Sequence, residues 1–156
     1  MKQILFAVIL ILTGCTSVRT NIQIEAPAKD VRAVLLDFDN YGKWNPFIVE
    51  VDGTVAQGSI VRVTVKPVGK SPLSGDTLVT SLTEKRLVWV GSLPIPGLFR
   101  GTHEFIIEEH GPNKTTFYQN EKMSGLIIPF FNTRPEAAGF VLMNEALKKR
   151  AEDSRR

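Results

Sequence analysis

Apolar and polar positions alternate along most of the chain. "NIQIEA", around Ile22, alternates as a short strand. The next stretch, "PAKDVRAVLLDFDNY", changes period: Pro27 opens it, Val31, Val34, Leu35 and Phe38 fall at helical spacing, and Asp-Asn closes it, which predicts a helix. Asn45 and Pro46 then end a short helical turn in "GKWNP", with Asn45 a weak candidate for a polar pocket group. Beyond it the segments 47–51, 59–66, 76–82, 86–93, 102–109 and 115–124 read as strands. Phe47, Val49 and Val51 alternate with Ile48, Glu50 and Asp52, and Val61, Val63 and Val65 with Arg62, Thr64 and Lys66, so one sheet face is predicted dry. The last element announces itself with Thr133-Arg134-Pro135-Glu136, a capping-box pattern with proline in the first turn. Ala137, Phe140, Val141, Asn144, Leu147 and Ala151 share one stripe of it, and basic residues gather at its C-terminal end, where they suit the helix dipole. The order predicts an α+β fold: a curved antiparallel sheet of about seven strands wrapped around a long C-terminal helix, with one or two short helices after the first strand.

One hairpin departs from the simple pattern. In "GTHEFIIEEHGPNKTTFYQNEKMSG" the face that carries Phe105, Ile107 and Phe117 also carries His103, Gln119 and Glu121. Polar groups taken from water need partners or something bound between them. Pairing Glu109 with Thr115 across the turn sets His103 opposite Glu121, Phe105 opposite Gln119 and Ile107 opposite Phe117, close enough for a hydrogen bond or an ion pair. A slip of one residue would separate the faces altogether.

Three roles stay open for His103 and Glu121. They are a satisfied polar pair within the sheet, a polar anchor for an amphipathic ligand in an apolar pocket, or a general acid and base. Trp44 and Trp89 read as core or pocket wall, and Trp89 shares strand parity with Leu87 and Leu93, which points it inward. His110 sits at the turn and reads as exposed.

Length and composition then narrow the class. With 156 residues, 43% hydrophobic and 22% charged, the chain suits one globular domain with a real core. The net charge is +3, or +2 without Lys2 (18 basic against 16 acidic residues), and basic residues cluster only in the tail "KKRAEDSRR", which excludes a nucleic-acid footprint. The N-terminus sets the compartment. Lys2, the short apolar run from Ile4 to Leu12 and the small residues Thr13-Gly14 before the only cysteine fit a secretory signal, since the run is too short to span a bilayer. Leu12-Thr13-Gly14-Cys15 resembles the lipobox of bacterial lipoproteins, in which the cysteine thiol receives a diacylglyceryl group and becomes the new N-terminus. Acylation also accounts for a lone cysteine in an exported protein. Thr16 rather than Asp follows it, which by the same resemblance points to the outer membrane, facing the periplasm, rather than the inner. The expected organisation is a signal peptide over 1–14, a lipidated tether over 15–20 with a reach of roughly 20 Å, and a ligand-binding domain over 21–153.

An up-and-down meander places "KPVGKSPLSG", "SLPIPGLFRG" and "GLIIPFFNTR" at one end of the sheet. Connections are normally polar. Leu73, Ile95, Leu98, Phe99, Ile127, Ile128, Phe130 and Phe131 gathered there predict a greasy gate, or alternatively a cap on the end of the core.

"IEAPAKDVRAVLLDFDNYGKWNPFI", "RLVWVGSLPIPGLFRGTHEF" and "TTFYQNEKMSGLIIPFF" together resemble the polyketide cyclase/dehydrase branch of the START-like, or SRPBCC, superfamily. The resemblance covers nearly all of the mature chain. Its pieces are Tyr-x-x-Trp-x-Pro after the first helix, His-x-Phe in the sixth strand and Glu-x-x-x-Gly ending the seventh. It implies a helix-grip fold with a deep cavity between sheet and helix that takes hydrophobic or amphipathic molecules, and it implies no single chemistry, since carriers, receptors, cyclases and oxygenase subunits share the fold. The ligand-binding candidates are Trp44, Phe47, Trp89, Leu98, Phe99, His103, Phe105, Phe117, Gln119, Glu121, Phe130 and Phe140. With two histidines and no carboxylate cluster, no metal is expected, and no other cofactor. The reading is a membrane-tethered binder of a lipid or other apolar small molecule. Its rivals are a cyclase or dehydratase using His103 and Glu121 as acid and base, and an envelope-assembly partner working through its surface.

Overall fold

A computed structural model describes residues 13–153. Most of the signal segment expected over 1–14, and residues 154–156 of the basic tail, lie outside the described residues. The elements are β1 (Gly14–Ile24), α1 (Ala28–Leu35), a 3-10 turn (Phe38–Asn40), α2 (Tyr41–Trp44), β2 (Ile48–Asp52), β3 (Ile60–Val65), β4 (Leu73–Leu82), β5 (Arg86–Ser92), β6 (Arg100–Gly111), β7 (Lys114–Gly125), a second 3-10 turn (Ile128–Phe130) and α3 (Arg134–Asp153). The seven strands form one antiparallel sheet in the order β1-β7-β6-β5-β4-β3-β2, the α+β architecture expected of a helix-grip fold.

Bulges curve the sheet. They fall between Ile48 and Glu50, Val79 and Ser81, and Glu109 and Gly111. The first overturns the simple alternation expected near Phe47: Phe47 and Ile48 are both buried and Val49 only half-buried, because the extra residue turns the chain over at the entry to β2.

Two boundaries differ from expectation. Residues 15–20, expected as a tether, form the first half of β1, with Cys15 opposite Ser124 and Thr20 opposite Gln119. Strand β7 runs on to Gly125 and offers its backbone groups along that whole length, and Val18 buries its side chain beneath the strand pair. The folded domain therefore starts at Gly14 rather than 21. In α3 the buried stripe is Gly139, Phe140, Met143, Asn144, Leu147 and Ala151, while Val141 is exposed. The stripe turns because Gly139, lacking a side chain, lets the ring of Phe47 come against the helix backbone. Phe47 and Phe140 meet edge to face with centroids 5.1 Å apart.

Polar ties fix α3 along β1. Asn144 Nδ2 donates to Thr20 Oγ1 (3.0 Å), Lys148 Nζ to the Gln23 carbonyl (2.9 Å), and the Glu25 N–H to Glu152 Oε1 (2.8 Å). These ties hold the helix over the concave face on which His103, Gln119 and Glu121 lie.

Candidate functional site

The β6–β7 register is the one the hairpin pattern predicts: His103 opposite Glu121, Phe105 opposite Gln119, Ile107 opposite Phe117. His103 is buried among rings, with centroids 4.5 Å from Phe105, 4.9 Å from Phe140 and 6.2 Å from Trp89. Gln119 Nε2 lies 3.1 Å from His103 Nε2 and 3.5 Å from Met143 Sδ. With the amide donating, Nε2 of the imidazole accepts, so the ring proton sits on Nδ1, which faces Glu121 Oε2 at 3.8 Å.

Burial decides the charge of this group. It pushes the His103 pKa down to about 3, leaving the ring neutral at pH 7. Burial, with the neighbouring Glu136 carboxylate adding to it, pushes Glu121 up to about 7. Glu136, in the first turn of α3, is itself raised by burial. The His103–Glu121 contact is therefore no ion pair at neutral pH, despite its distance. Three buried acceptor atoms nearby have no partner: Gln119 Oε1, Asn144 Oδ1 and Glu136 Oε2. Together they give the apolar interior under α3 a polar strip with unused hydrogen-bonding capacity.

The deep cavity expected between sheet and helix is not open in this structure. Phe47, Phe105, Phe117, Phe140, Met143 and Leu147 fill that space and are almost wholly buried. Aromatic rings from both layers interdigitate and Gly139 brings α3 close, so the volume goes to side chains. An open groove of about 1110 Å³ lies instead between α1 and the second half of α3, lined by Val34, Leu36, Trp44, Ala146 and Arg150 among others. Of the candidate residues only Trp44 lines it, with its indole Nε1 buried and unpartnered. A second recess of about 670 Å³, on the sheet beside Cys15, Thr102 and Lys122, reaches one side of Glu121.

The candidate residues thus divide. Phe47, Trp89, His103, Phe105, Phe117, Gln119, Glu121 and Phe140 converge under α3. Leu98 and Phe99 are half-buried in the β5–β6 connection, Phe99 against Phe131 at 6.2 Å, and Phe130 stands outside. Of the other rim residues, Ile128 is buried and Leu73 opens β4 rather than lying in a loop. Asn45 ends the short helical turn, as expected: its Oδ1 accepts from the N–H groups of Phe47 (3.0 Å) and Ile48 (2.9 Å) and shapes the turn into β2. His110 is exposed at its turn, with Nε2 2.9 Å from Thr116 Oγ1.

Sequence reasoning missed Gly101, Glu136 and Met143. A Cβ at Gly101 would come 2.8 Å from Glu121 Oε1, so the glycine makes room for that carboxyl. A glycine inside a strand two residues from a buried histidine was the available signal. Among the described residues no group of three or more His, Cys, Asp or Glu side chains is placed to hold a metal ion, and no helix is long and apolar enough to cross a membrane.

The same architecture recurs in solved structures. A norcoclaurine synthase variant from Thalictrum flavum, in complex with a transition-state analogue, superposes with a TM-score of 0.69 at 12% identity, over 94% of this chain and 100% of that one. The Zhui aromatase/cyclase from Streptomyces sp. R1128 gives 0.68 at 17% identity, over 92% and 97%. A START superfamily protein from Mycobacterium smegmatis gives 0.67 at 22% identity, over 88% and 98%. At these identities the likeness is one of fold. No curated protein matches the chain in sequence. Residues 16–153, nearly the whole folded unit, match the family described as polyketide cyclase / dehydrase and lipid transport, and the chain belongs to that family.

Proposed function

We propose that this chain is an envelope protein, anchored through an acylated Cys15 to the outer membrane and facing the periplasm, that binds a lipid or other hydrophobic or amphipathic small molecule between the sheet and α3. One observation carries the binding half: a polar strip of His103, Gln119, Glu121 and Asn144, with unused acceptors on Gln119 and Asn144, set in an otherwise apolar interior of a fold whose family includes lipid transport. In this division of labour the rings enclose the apolar body of the ligand and the strip orients its polar end. Because Phe47 and Phe140 occupy the space, α3 must lift or the rings repack before a ligand enters, so uptake is slow relative to diffusion. The anchoring half rests on the lipobox-like sequence and on Cys15 being exposed at the start of β1.

A second reading is favoured by one observation. A neutral imidazole beside a carboxyl raised to about 7 is what proton transfer for an aldol cyclisation or dehydration needs. Two of the similar structures are named as a synthase and an aromatase/cyclase.

Native mass spectrometry of the protein extracted from its own membranes tests the binding reading. We expect a retained small molecule, lost or weakened in His103→Ala and Glu121→Ala. A bare chain that also takes up no long-chain lipid, quinone or polyketide overturns it. Turnover that falls by orders of magnitude in those variants, with product still bound, selects the enzyme.

A further inference from the structure

We propose that the end of the sheet formed by the β3–β4, β5–β6 and β7–α3 connections is a membrane-docking face that rests in the headgroup layer of an anionic bilayer.

Six large apolar side chains stand exposed at that one end: Val68 (44%), Leu73 (68%), Leu93 (43%), Ile95 (62%), Leu126 (36%) and Phe130 (90%). The strand directions bring them together, because β3, β5 and β7 finish there and β4 and β6 begin there. The patch is built rather than loose. The Leu93 N–H donates to the Phe99 carbonyl (3.2 Å), and the Leu126 and Ile127 N–H groups donate to the carbonyls of Gly97 (3.0 Å) and Leu98 (3.3 Å), so two connections are joined into one knob. Gly125 permits this approach: a Cβ there would lie 2.3 Å from the Leu98 carbonyl oxygen, and its φ is +140°. A fold that fixes a phenylalanine in water this way is displaying it.

Charge selects the partner. Segments 66–73, 93–100 and 126–134 contain Lys66, Lys70, Arg100 and Arg134 and no Asp or Glu. The opposite end of the sheet is mixed in charge, with Glu25, Asp52, Glu84, Glu108 and Glu109 beside Lys29, Lys85, Arg86 and Lys114 in or next to its turns. Apolar side chains ringed by basic ones match the acyl boundary and anionic headgroups of a lipid surface. The chain also emerges on this face: Gly14 pairs with Gly125, and the sequence before it, "ILFAVILIL" over 4–12, is continuously apolar. Held by an acylated Cys15, the protein is attached at the same end as Phe130. The exposed patch, the basic collar and the exit point of the chain give one orientation, with the strand ends toward lipid.

The inference rests on the anchoring half of the proposed function and not on the interior ligand, and its test reads lipid contact alone. The full chain is reconstituted in vesicles of phosphatidylethanolamine and phosphatidylglycerol with brominated acyl chains, which quench indole fluorescence on contact. Phe130→Trp places a reporter on the docking face and Asn113→Trp one at the opposite turn, each read against the parent's Trp44 and Trp89. We expect the emission added at 130 to be blue-shifted and mostly quenched, that added at 113 to be neither, and Ile95→Asp to weaken the quenching at 130. Water-like, unquenched emission at 130 on vesicles that retain the chain means a tethered domain standing off the bilayer, and overturns the docking face while leaving the anchor intact. Equal quenching at both positions overturns the orientation, and a chain that leaves the vesicles overturns docking and anchor together.

Discussion

His103 Nδ1 faces Glu121 Oε2 across the β6–β7 pair at 3.8 Å, a contact between a neutral base and a carboxyl that is half protonated near pH 7. Its consequence is a stability profile with two opposed slopes. The imidazole titrates near 6.5 when free and near 3 when folded, so the stability present above 6.5 is lost as the pH falls toward 3. The carboxyl titrates near 4.5 when free and near 7 when folded, so the stability present below 4.5 is lost as the pH rises toward 7. Between about 4.5 and 6.5 the two slopes, each about 1.4 kcal/mol per pH unit, cancel. Urea unfolding across pH is expected to show a flat parent in that window, a Glu121→Gln variant that loses stability as pH falls, and a His103→Gln variant that gains it. A Glu121→Gln profile as flat as the parent's contradicts the assignment.

Gly101 controls where that carboxyl sits. A methyl group there meets Glu121 Oε1 at 2.8 Å, and the far end of a flexible side chain yields before the sheet does. Gly101→Ala is expected to displace the Glu121 carboxyl from its buried seat on the concave face and loosen its enclosure. Its titration, followed by carbon NMR of labelled glutamate, should fall by about one pH unit or more from near 7. An unmoved titration means that Phe99, 3.3 Å from the same methyl position, gave way instead.

Gly139 and Phe47 are as tightly matched, since a Cβ on the glycine would come 2.3 Å from the Phe47 ring. Gly139→Ala is expected to cost about 1–3 kcal/mol, as overpacking in a filled core does, even though alanine favours a helix. Phe47→Leu shortens the ring side chain and should recover part of that loss in the double variant. Thermal unfolding of the four proteins reads the coupling, and strictly additive changes rule out the contact.

The hairpin was legible because two local facts narrow it: a turn at Gly-Pro-Asn, and an alternation that rules out a one-residue slip and leaves His103 opposite or diagonal to Glu121, of which the direct pairing is the one found. The start of β1 was not legible. What makes 14–20 a strand is the length of β7, about a hundred residues away, and nothing in "GCTSVRT" alternates strongly enough to announce it. The filled interior was hidden for a similar reason. Periodicity shows which face is apolar but not how far Phe47 and Phe140 reach across the gap, and the glycine that brings their elements together looks in sequence like a weak helix residue. Asn45 was legible as the end of its helical turn, but a polar residue beside apolar neighbours points equally to a ligand and to unpaired backbone.

That second possibility gives a test in which the two roles separate. Asn45 is buried, and its Oδ1 takes the N–H groups of Phe47 and Ile48 at 3.0 and 2.9 Å, while its Nδ2 has no partner. Asn45→Ala strands two buried donors and is expected to cost about 2–4 kcal/mol, counting roughly 1–2 kcal/mol for each. Asn45→Asp keeps an oxygen in the same place and removes the idle donor, so it should stay within about 1 kcal/mol of the parent at neutral pH, the stronger charged acceptor offsetting the burial of charge. If Asn45 instead served a ligand, alanine would leave unfolding in urea unchanged and alter only binding. Equilibrium unfolding of the two variants without added ligand therefore decides between a turn residue and a pocket residue.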